Sequence, residues 1–230
     1  LKTIYQNSFP EISFYTEQKN ILKDDFDFHL PIGNLIESLH HYEDFLIYKS
    51  FPYLLSDQNR VNSLKAELPK EKKIIGIAWK TLNEAGEIDS KSIDISIFGD
   101  LLKDKNCIII PLQYGEIQSE LEILRNIFEL EVIEFSSINR WFDIDGLAAL
   151  IDVCDLVISS SNSIVHLAGA LRKPTKVFLP LVPSFWWFDE GKKSAWYESV
   201  QLYRQKKLES WSEPYYDIKR DIEIFFDTDV

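Results

Sequence analysis

The chain has 230 residues, 45% of them hydrophobic and 13% aromatic, with 37 acidic against 25 basic side chains and a formal net charge of −12. Such a composition supplies apolar material for one large domain or one and a half ordinary ones. The acidic balance argues against a nucleic-acid surface, and no apolar run approaches the ~18 residues of a transmembrane segment or has the pattern of a signal peptide.

There is no methionine, even at position 1, and the chain opens mid-pattern with LKTIYQ. It is therefore expected to lack the start of its parent reading frame. Residues 1 to 56 suggest short strands at Ile12–Tyr15 and Phe26–Leu30, with Asp24 and Asp25 between them. A PIGN turn (Pro31 to Asn34) leads to a short helix at Leu35–His40, and Phe45–Tyr48 reads as a further strand. This is too little for an independent domain and resembles the tail end of one.

A charged helix from Gln58 to Leu68 ends at Pro69, and Lys70-Glu71-Lys72-Lys73 follows. The composition shifts there, which divides the chain into residues 1–69 and 70–230. Beyond it the order is regular. Strands are predicted at Ile74–Trp79, Cys107–Leu112, Val132–Phe135 and Val200–Tyr203. Helices are marked by Ile97, Phe98, Leu101 and Leu102 (N-cap Ser96), by Ile117, Leu121, Leu124 and Phe128, by Leu147, Leu150, Ile151 and Cys154, and by Ile218, Ile222, Phe225 and Phe226. Such alternation means an α/β fold with a parallel sheet covered on both faces.

The organising stretch is Asp155 to Leu179, DLVISSSNSIVHLAGALRKPTKVFL. Leu156-Val157-Ile158 is an apolar run suited to a strand buried on both faces. The polar cluster Ser159 to Ser163 supplies N-caps, and Ile164, Leu167, Ala168 and Leu171 then recur at helical spacing. Pro174 stops that helix before a strand around Lys176 to Leu179. The helix entrance so formed lies at the carboxyl end of a strand, where open α/β sheets bind ligands. Its unsatisfied N–H groups favour an anion, most often a phosphate, and His166 about one turn in can reach the same guest.

Because the strands are parallel, Trp79-Lys80-Thr81, Gln113-Tyr114-Gly115 and Ser159 to Asn162 should share one rim. A phosphate on the Ser161–Ser163 amides could also meet His166 and Lys80, the latter as a point charge. The plainer alternative is that Ser161 and Asn162 only cap a helix and that His166 is a satisfied core histidine. Asp143-Ile144-Asp145 is a DxD sequence, but it begins a helix, where Asp143 is better read as a cap; Asp145 could still face a ligand. The aromatic run Phe185 to Phe188 and the later Trp196-Tyr197 either plug the surface or stack a sugar or base. Arg204 either pairs with an acid or closes the sheet. No GxGxxG, GxSxG, nucleophile triad or metal-spaced histidine pair is present. Cys107 and Cys154 have no CxxC or Cys/His neighbour and read as core residues of a reducing cytoplasm.

Five ordered blocks carry a family resemblance: IGIAWK (Ile75 to Lys80), IIPLQYG (Ile109 to Gly115), DIDGLAALIDVCDLVIS (Asp143 to Ser159), HLAGALRKPTKVFLP (His166 to Pro180) and SAWYESVQLYRQ (Ser194 to Gln205). Together they resemble the C-terminal, nucleotide-sugar-binding half of GT-B glycosyltransferases. The nearest group is the heptosyltransferase-like family 9 domain found behind tetratricopeptide repeats in bacteria. DFHLPIGNL and FPYLLSDQNRV resemble the end of that family's N-terminal half.

The resemblance implies a Rossmann-like donor domain at 70–230 preceded by the end of an acceptor-side domain. It also implies a nucleotide-sugar donor, no bound metal or other cofactor, and an acceptor of glycan, lipopolysaccharide or protein kind. Ser160, Ser161, Asn162, Ser163 and His166 would hold the diphosphate, with Lys80 and Gln113 lining the donor site. Trp79, Tyr114, Asp145, Trp186 and Trp187 would lie toward nucleoside or sugar. The catalytic base is expected upstream of Leu1. Three departures stand out: an acid-Thr pair is replaced by Ser161-Asn162, an Arg between tryptophans is replaced in FWWF, and the usual Gly before Lys-Pro is Arg172. The Ser161-Asn162 pair and the base expected upstream keep open a non-catalytic sugar-nucleotide-binding module; a sugar-nucleotide epimerase of the same two-domain architecture is a third reading, which would need acid/base carboxylates in the cleft.

Overall fold

The computed structural model describes residues 1–15, 27–31, 34, 52–81, 91–188, 190–208 and 210–228. Its frame is a sheet of strands β1 (Lys73–Ala78), β2 (Cys107–Pro111), β3 (Glu131–Val132), β4 (Leu156–Ser160), β5 (Thr175–Leu179) and β6 (Val200–Arg204). All neighbouring pairs are parallel, in the order β3-β2-β1-β4-β5-β6. The connecting helices are α1 (Lys2–Ser8), α2 (Gln58–Ala66), α3 (Ile95–Leu102), α4 (Gln118–Asn126), α5 (Ile144–Val153), α6 (Ser163–Ala170) and α7 (Ser212–Asp227).

Successive strand residues point to opposite faces, so a strand covered on both sides must be apolar throughout. On one face Ile74, Ile108, Ile110 and Val157 pack with Val61 and Leu64 of α2, Leu147 and Ile151 of α5, and Ile164 and Ala168 of α6. On the other, Ile75, Ile77, Ile109 and Ile158 meet Phe98 of α3, Leu121 and Leu124 of α4, and Ile218 and Ile222 of α7. The result is a Rossmann-like α/β domain. Ile4, Leu54, Val61 and Leu64, which precede Pro69, belong to the first of these cores. Among the described residues no helix is long and apolar enough to cross a membrane.

The strand order places a topological switch between β1 and β4: the chain runs outward through β2 and β3, then returns to continue through β5 and β6. Loops leaving β1 and β4 diverge there and open a crevice above the carboxyl edge.

Several expectations change. The helix over 95–102 is capped by Asp94, whose carboxylate accepts from the Ser96 N–H at 2.8 Å, and not by Ser96. Asp94 has the extended backbone of a cap, whereas Ser96 is already helical. At the sheet edge β3 spans only Glu131–Val132, shorter than the predicted Val132–Phe135. Ile12–Tyr15 forms no strand: it follows an unforeseen α1 through a turn, and Phe14 stacks on Tyr5 of that helix at 5.5 Å. Asp27–Leu30 is exposed and irregular. Leu35–His40 and Phe45–Tyr48 lie outside the described residues. Both cysteines are buried, and burial pushes each thiol up to about 12, so they remain protonated core groups.

Candidate functional site

At the switch point lies a cavity of ≈ 400 Å³ lined by Thr81, Lys91, Ser161, Asn162, Ser163, His166, Ser184 and Trp186. Its floor is the entrance of α6. Asn162 is extended (φ −141°, ψ −175°) and its Oδ1 accepts from the Ile164 N–H at 3.0 Å. Its backbone carbonyl takes the Val165 N–H at 3.2 Å. The cap thus satisfies the second and third helical N–H groups, while the first, on Ser163, has no acceptor among the described residues. Ser163 itself is exposed. A donor of this kind, backed by the helix dipole, suits an anion.

His166 stands on the next turn and is half-buried among aromatic rings. It stacks on Trp187 (5.0 Å, 13°) and meets Trp186 and Tyr197 edge-on at 5.8 and 5.9 Å. Its Nδ1 lies 3.1 Å from the Tyr197 hydroxyl. Burial holds its pKa below the ordinary value, so the ring is neutral near pH 7. The imidazole faces the cavity margin and is not turned into the hydrophobic interior.

The aromatic loop that walls the cavity is held from behind. Arg204, at the end of β6, donates to the carbonyls of Trp187 (2.6 Å), Phe188 (2.9 Å) and Gly191 (3.2 Å). It therefore closes the loop over the sheet and makes these bonds to carbonyls. Trp196 Nε1 donates to the Trp186 carbonyl at 2.7 Å. Two buried polar atoms of cavity-lining residues, Thr81 Oγ1 and Trp186 Nε1, have no partner among the described residues. Buried polar atoms are rarely left in that state, and a bound ligand is one way to satisfy them.

Of the residues singled out from sequence, the structure brings Ser161, Asn162, Ser163, His166 and Trp186 to this cavity. Others serve the fold. Ser160 is fully buried, and its hydroxyl accepts from Asn162 Nδ2 at 3.3 Å. Asn162 has its amide engaged at both ends, as cap and as tie to Ser160. Gln113 is 1% exposed; its Oε1 accepts from the N–H groups of Trp79 (3.0 Å) and Lys80 (2.8 Å), and its Nε2 donates to the Tyr114 carbonyl. It clamps the chain leaving β1 and has no oxygen left for a ligand in that pose.

Lys80 pairs with Glu120 of α4, so its charge is already compensated. Burial alone would raise the Glu120 carboxyl, but the ammonium beside it holds the pKa below the ordinary value. Trp79 points into the core and is 1% exposed, because the residue after a buried strand continues its inward alternation. Trp187 is 2% exposed and donates through Nε1 to Ser161 Oγ at 2.9 Å. It is the wall behind His166 and presents no stacking face to a sugar.

Asp145 sits half-buried on the first turn of α5, where its charge acts on Arg60. Asp143 caps α5 through the Gly146 N–H at 2.9 Å and forms a two-point ion pair with Arg60. Tyr114 lies elsewhere on the rim, edge-on to Trp141 at 4.4 Å. The pair lines a second cavity of ≈ 510 Å³ with Glu134, Asn139 and Arg140. Thr81, placed on the shared rim from sequence but given no role there, lines the cavity, and Lys91, Ser184 and Trp141 are rim residues that sequence reasoning does not name; extending the shared-rim rule to every strand end is the signal that reaches them.

Two departures from the resembled pattern meet in a single bond: a neutral Trp187 N–H to Ser161 hydroxyl bond joins Ser161-Asn162 to the FWWF segment. The third, Arg172, has φ +57°, a left-handed conformation in which glycine is favoured.

The fold has counterparts among solved structures. E. coli ADP-heptose LPS heptosyltransferase II superposes with a TM-score of 0.55 at 11% identity, covering 76% of this chain and 54% of that one. E. coli heptosyltransferase WaaC with ADP gives 0.51 at 17%, covering 71% and 48%. The chain shares the heptosyltransferase fold. In sequence it is 28% identical to Protein FlbA of Caulobacter vibrioides over 194 residues, which is 82% of this chain and 31% of that protein. The chain thus spans under a third of that relative and about half of the solved structures. No protein-family model matches it.

Proposed function

We propose that this chain carries the nucleotide-sugar-binding half of a glycosyltransferase of GT-B type, within the family 9 group associated with tetratricopeptide repeats. The observation that carries this reading is the ≈ 400 Å³ cavity at the β1–β4 switch point, with a helix N–H at Ser163, a neutral histidine at its margin and two buried polar atoms, all but the histidine without an acceptor or partner among the described residues. In this reading the cavity receives the diphosphate. Ser163 N–H, the Ser161 and Thr81 hydroxyls and the His166 ring supply donors, with Lys91 across the mouth. The Trp186 indole N–H faces the sugar. The nucleoside extends toward the Tyr114–Trp141 cavity, which has the size and the mixed aromatic and polar lining of a base site.

The chemistry is glycosyl transfer without metal, from a cytoplasmic donor to an acceptor hydroxyl. The C1–O bond to the diphosphate breaks as the acceptor oxygen attacks C1, and a base outside this chain takes the acceptor proton. Negative charge grows on the departing nucleoside diphosphate, and preorganised donors aimed at it lower the barrier. Residues 70–230 form the donor domain. Residues 1–69 are the end of the acceptor-side domain, with α2 as a linker helix packed back on the donor sheet.

Calorimetry with ADP-heptose and with UDP-, GDP- and ADP-hexoses tests the reading. At least one should bind, and His166→Ala should weaken it by roughly 10- to 100-fold, the loss of one hydrogen bond to a charged group. Binding of none, or binding indifferent to His166→Ala, contradicts the proposal.

A further inference from the structure

The His166 ring is held by a partner that sequence reasoning left in a surface cluster. Tyr197 lies in the chain between the aromatic loop and β6, yet its hydroxyl is 3.1 Å from His166 Nδ1. Its ring is seated by α6 itself: a Cβ on Gly169 would come within 2.4 Å of Tyr197 Cγ. Gly169 is three residues beyond His166 and so shares its face of the helix. On the outer side Tyr53 stacks on Tyr197 (6.4 Å, 21°). The phenol is therefore packed from both sides at a fixed position relative to the imidazole.

A phenol and a neutral imidazole can share one proton in two ways, and the surroundings decide between them. Burial raises the Tyr197 pKa well above the ordinary value, so its hydroxyl keeps its hydrogen throughout the physiological range. Two described groups can take that hydrogen, His166 Nδ1 at 3.1 Å and the neighbouring Tyr53 hydroxyl, and of these the imidazole makes the contact with a hydrogen-bond geometry. If Nδ1 carried the ring proton instead, the Tyr197 hydrogen would have to turn away to Tyr53 and the phenol oxygen would accept from the imidazole.

We infer that Tyr197 is a positioning residue: its hydroxyl donates to His166 Nδ1, which places the ring proton on Nε2 and presents that N–H to the ligand cavity. His166 lines the cavity together with Ser161–Ser163, whereas Tyr197 does not line it, so the nitrogen not bound to Tyr197 is the one left for a guest. A histidine fixed in this form is a donor to anionic oxygen without needing to be charged. This inference rests on the proposed diphosphate reading for its use, but the tautomer itself can be measured without any ligand.

The titratable groups around the ring are Tyr197, Tyr53 and Tyr5 on one side and Lys91 across the mouth; burial is the one cause that moves the imidazole pKa. Nitrogen-15 NMR of the ligand-free 230-residue chain should show His166 as the Nε2–H tautomer. Tyr197→Phe, which keeps the ring packing, should admit the Nδ1–H form. Gly169→Ala, which displaces the phenol, should reproduce the tautomer change.

For whichever nucleotide sugar binds, affinity in Tyr197→Phe should fall about fivefold at pH 8, one neutral hydrogen bond's equivalent. The native chain should be flat over pH 6.5–8. An Nδ1–H tautomer in the native chain, or a tautomer unchanged in both variants, overturns the inference. Failure of every nucleotide sugar to bind would instead count against the diphosphate reading, with the tautomer result still standing.

Discussion

The loops that leave β1 and β4 are neighbours at the same crevice and carry similar polar residues, yet they differ in what those residues have left to offer. After β1, the Trp79 and Lys80 amides are taken by the Gln113 carbonyl from the end of β2, Lys80 is paired with Glu120, and Trp79 is in the core. After β4, the cap at Asn162 leaves the Ser163 N–H open, and His166 is tied at Nδ1 alone. Trp79 and Lys80 at the start of the first loop are an internally satisfied brace, with Thr81 beyond them reaching the cavity, and the second loop is a set of donors waiting for an acceptor. Polar residues at a strand end therefore identify a rim, and the bonds they already make decide which part of the rim can bind.

This contrast can be broken by substitution. The largest effect is expected in the brace. Gln113→Ala leaves two amide N–H groups without their acceptor and opens space beside β1, so urea unfolding should show a loss of about 2–4 kcal/mol. A loss under about 0.5 kcal/mol, the range of ordinary surface changes, would mean that the β1 loop is not held by this residue.

A smaller effect sharpens the role of Lys80. Because the folded Glu120 carboxyl titrates below its ordinary 4.5, it contributes stability that is full above that value and lost as pH falls through the folded pKa. Glu120→Gln should therefore cost about 1 kcal/mol at pH 7, for a pair only partly shielded from solvent, and the two proteins should converge in stability as pH drops below about 4.5. Parallel stability curves across that window would show that Lys80 is not committed to Glu120.

Much of the architecture was legible because it depends on patterns that survive without neighbours. Ile74 to Ala78, Cys107 to Pro111 and Leu156 to Ile158 are continuous apolar runs, and a run of that kind between helical periods has few other solutions. The β4–α6–β5 unit was readable for the same reason, as was the capping role of Asp143. What could not be read were pairings between residues distant in sequence. Lys80 with Glu120, Gln113 with the Trp79 amide, and Tyr197 with His166 span 31 to 40 positions, and no local period encodes them.

The N-terminal stretch failed differently. Ile12-Ser13-Phe14-Tyr15 has a strand's composition, but Phe14 finds its partner in Tyr5 of a two-turn helix that exposes most of its residues. A short helix with one buried residue leaves almost no periodic signal.

The central claim is that the Ser163 amide receives a nucleotide's diphosphate, and one substitution removes that hydrogen while sparing the helix. Ser163 is the first residue of α6, where proline is well tolerated, and Asn162 before it already has the extended backbone that a following proline requires. Ser163→Pro should keep the native urea midpoint and lower nucleotide-sugar affinity at least about tenfold, the loss of a hydrogen bond to a charged group. An unchanged midpoint with unchanged affinity would show that the guest, if there is one, does not rest on this helix.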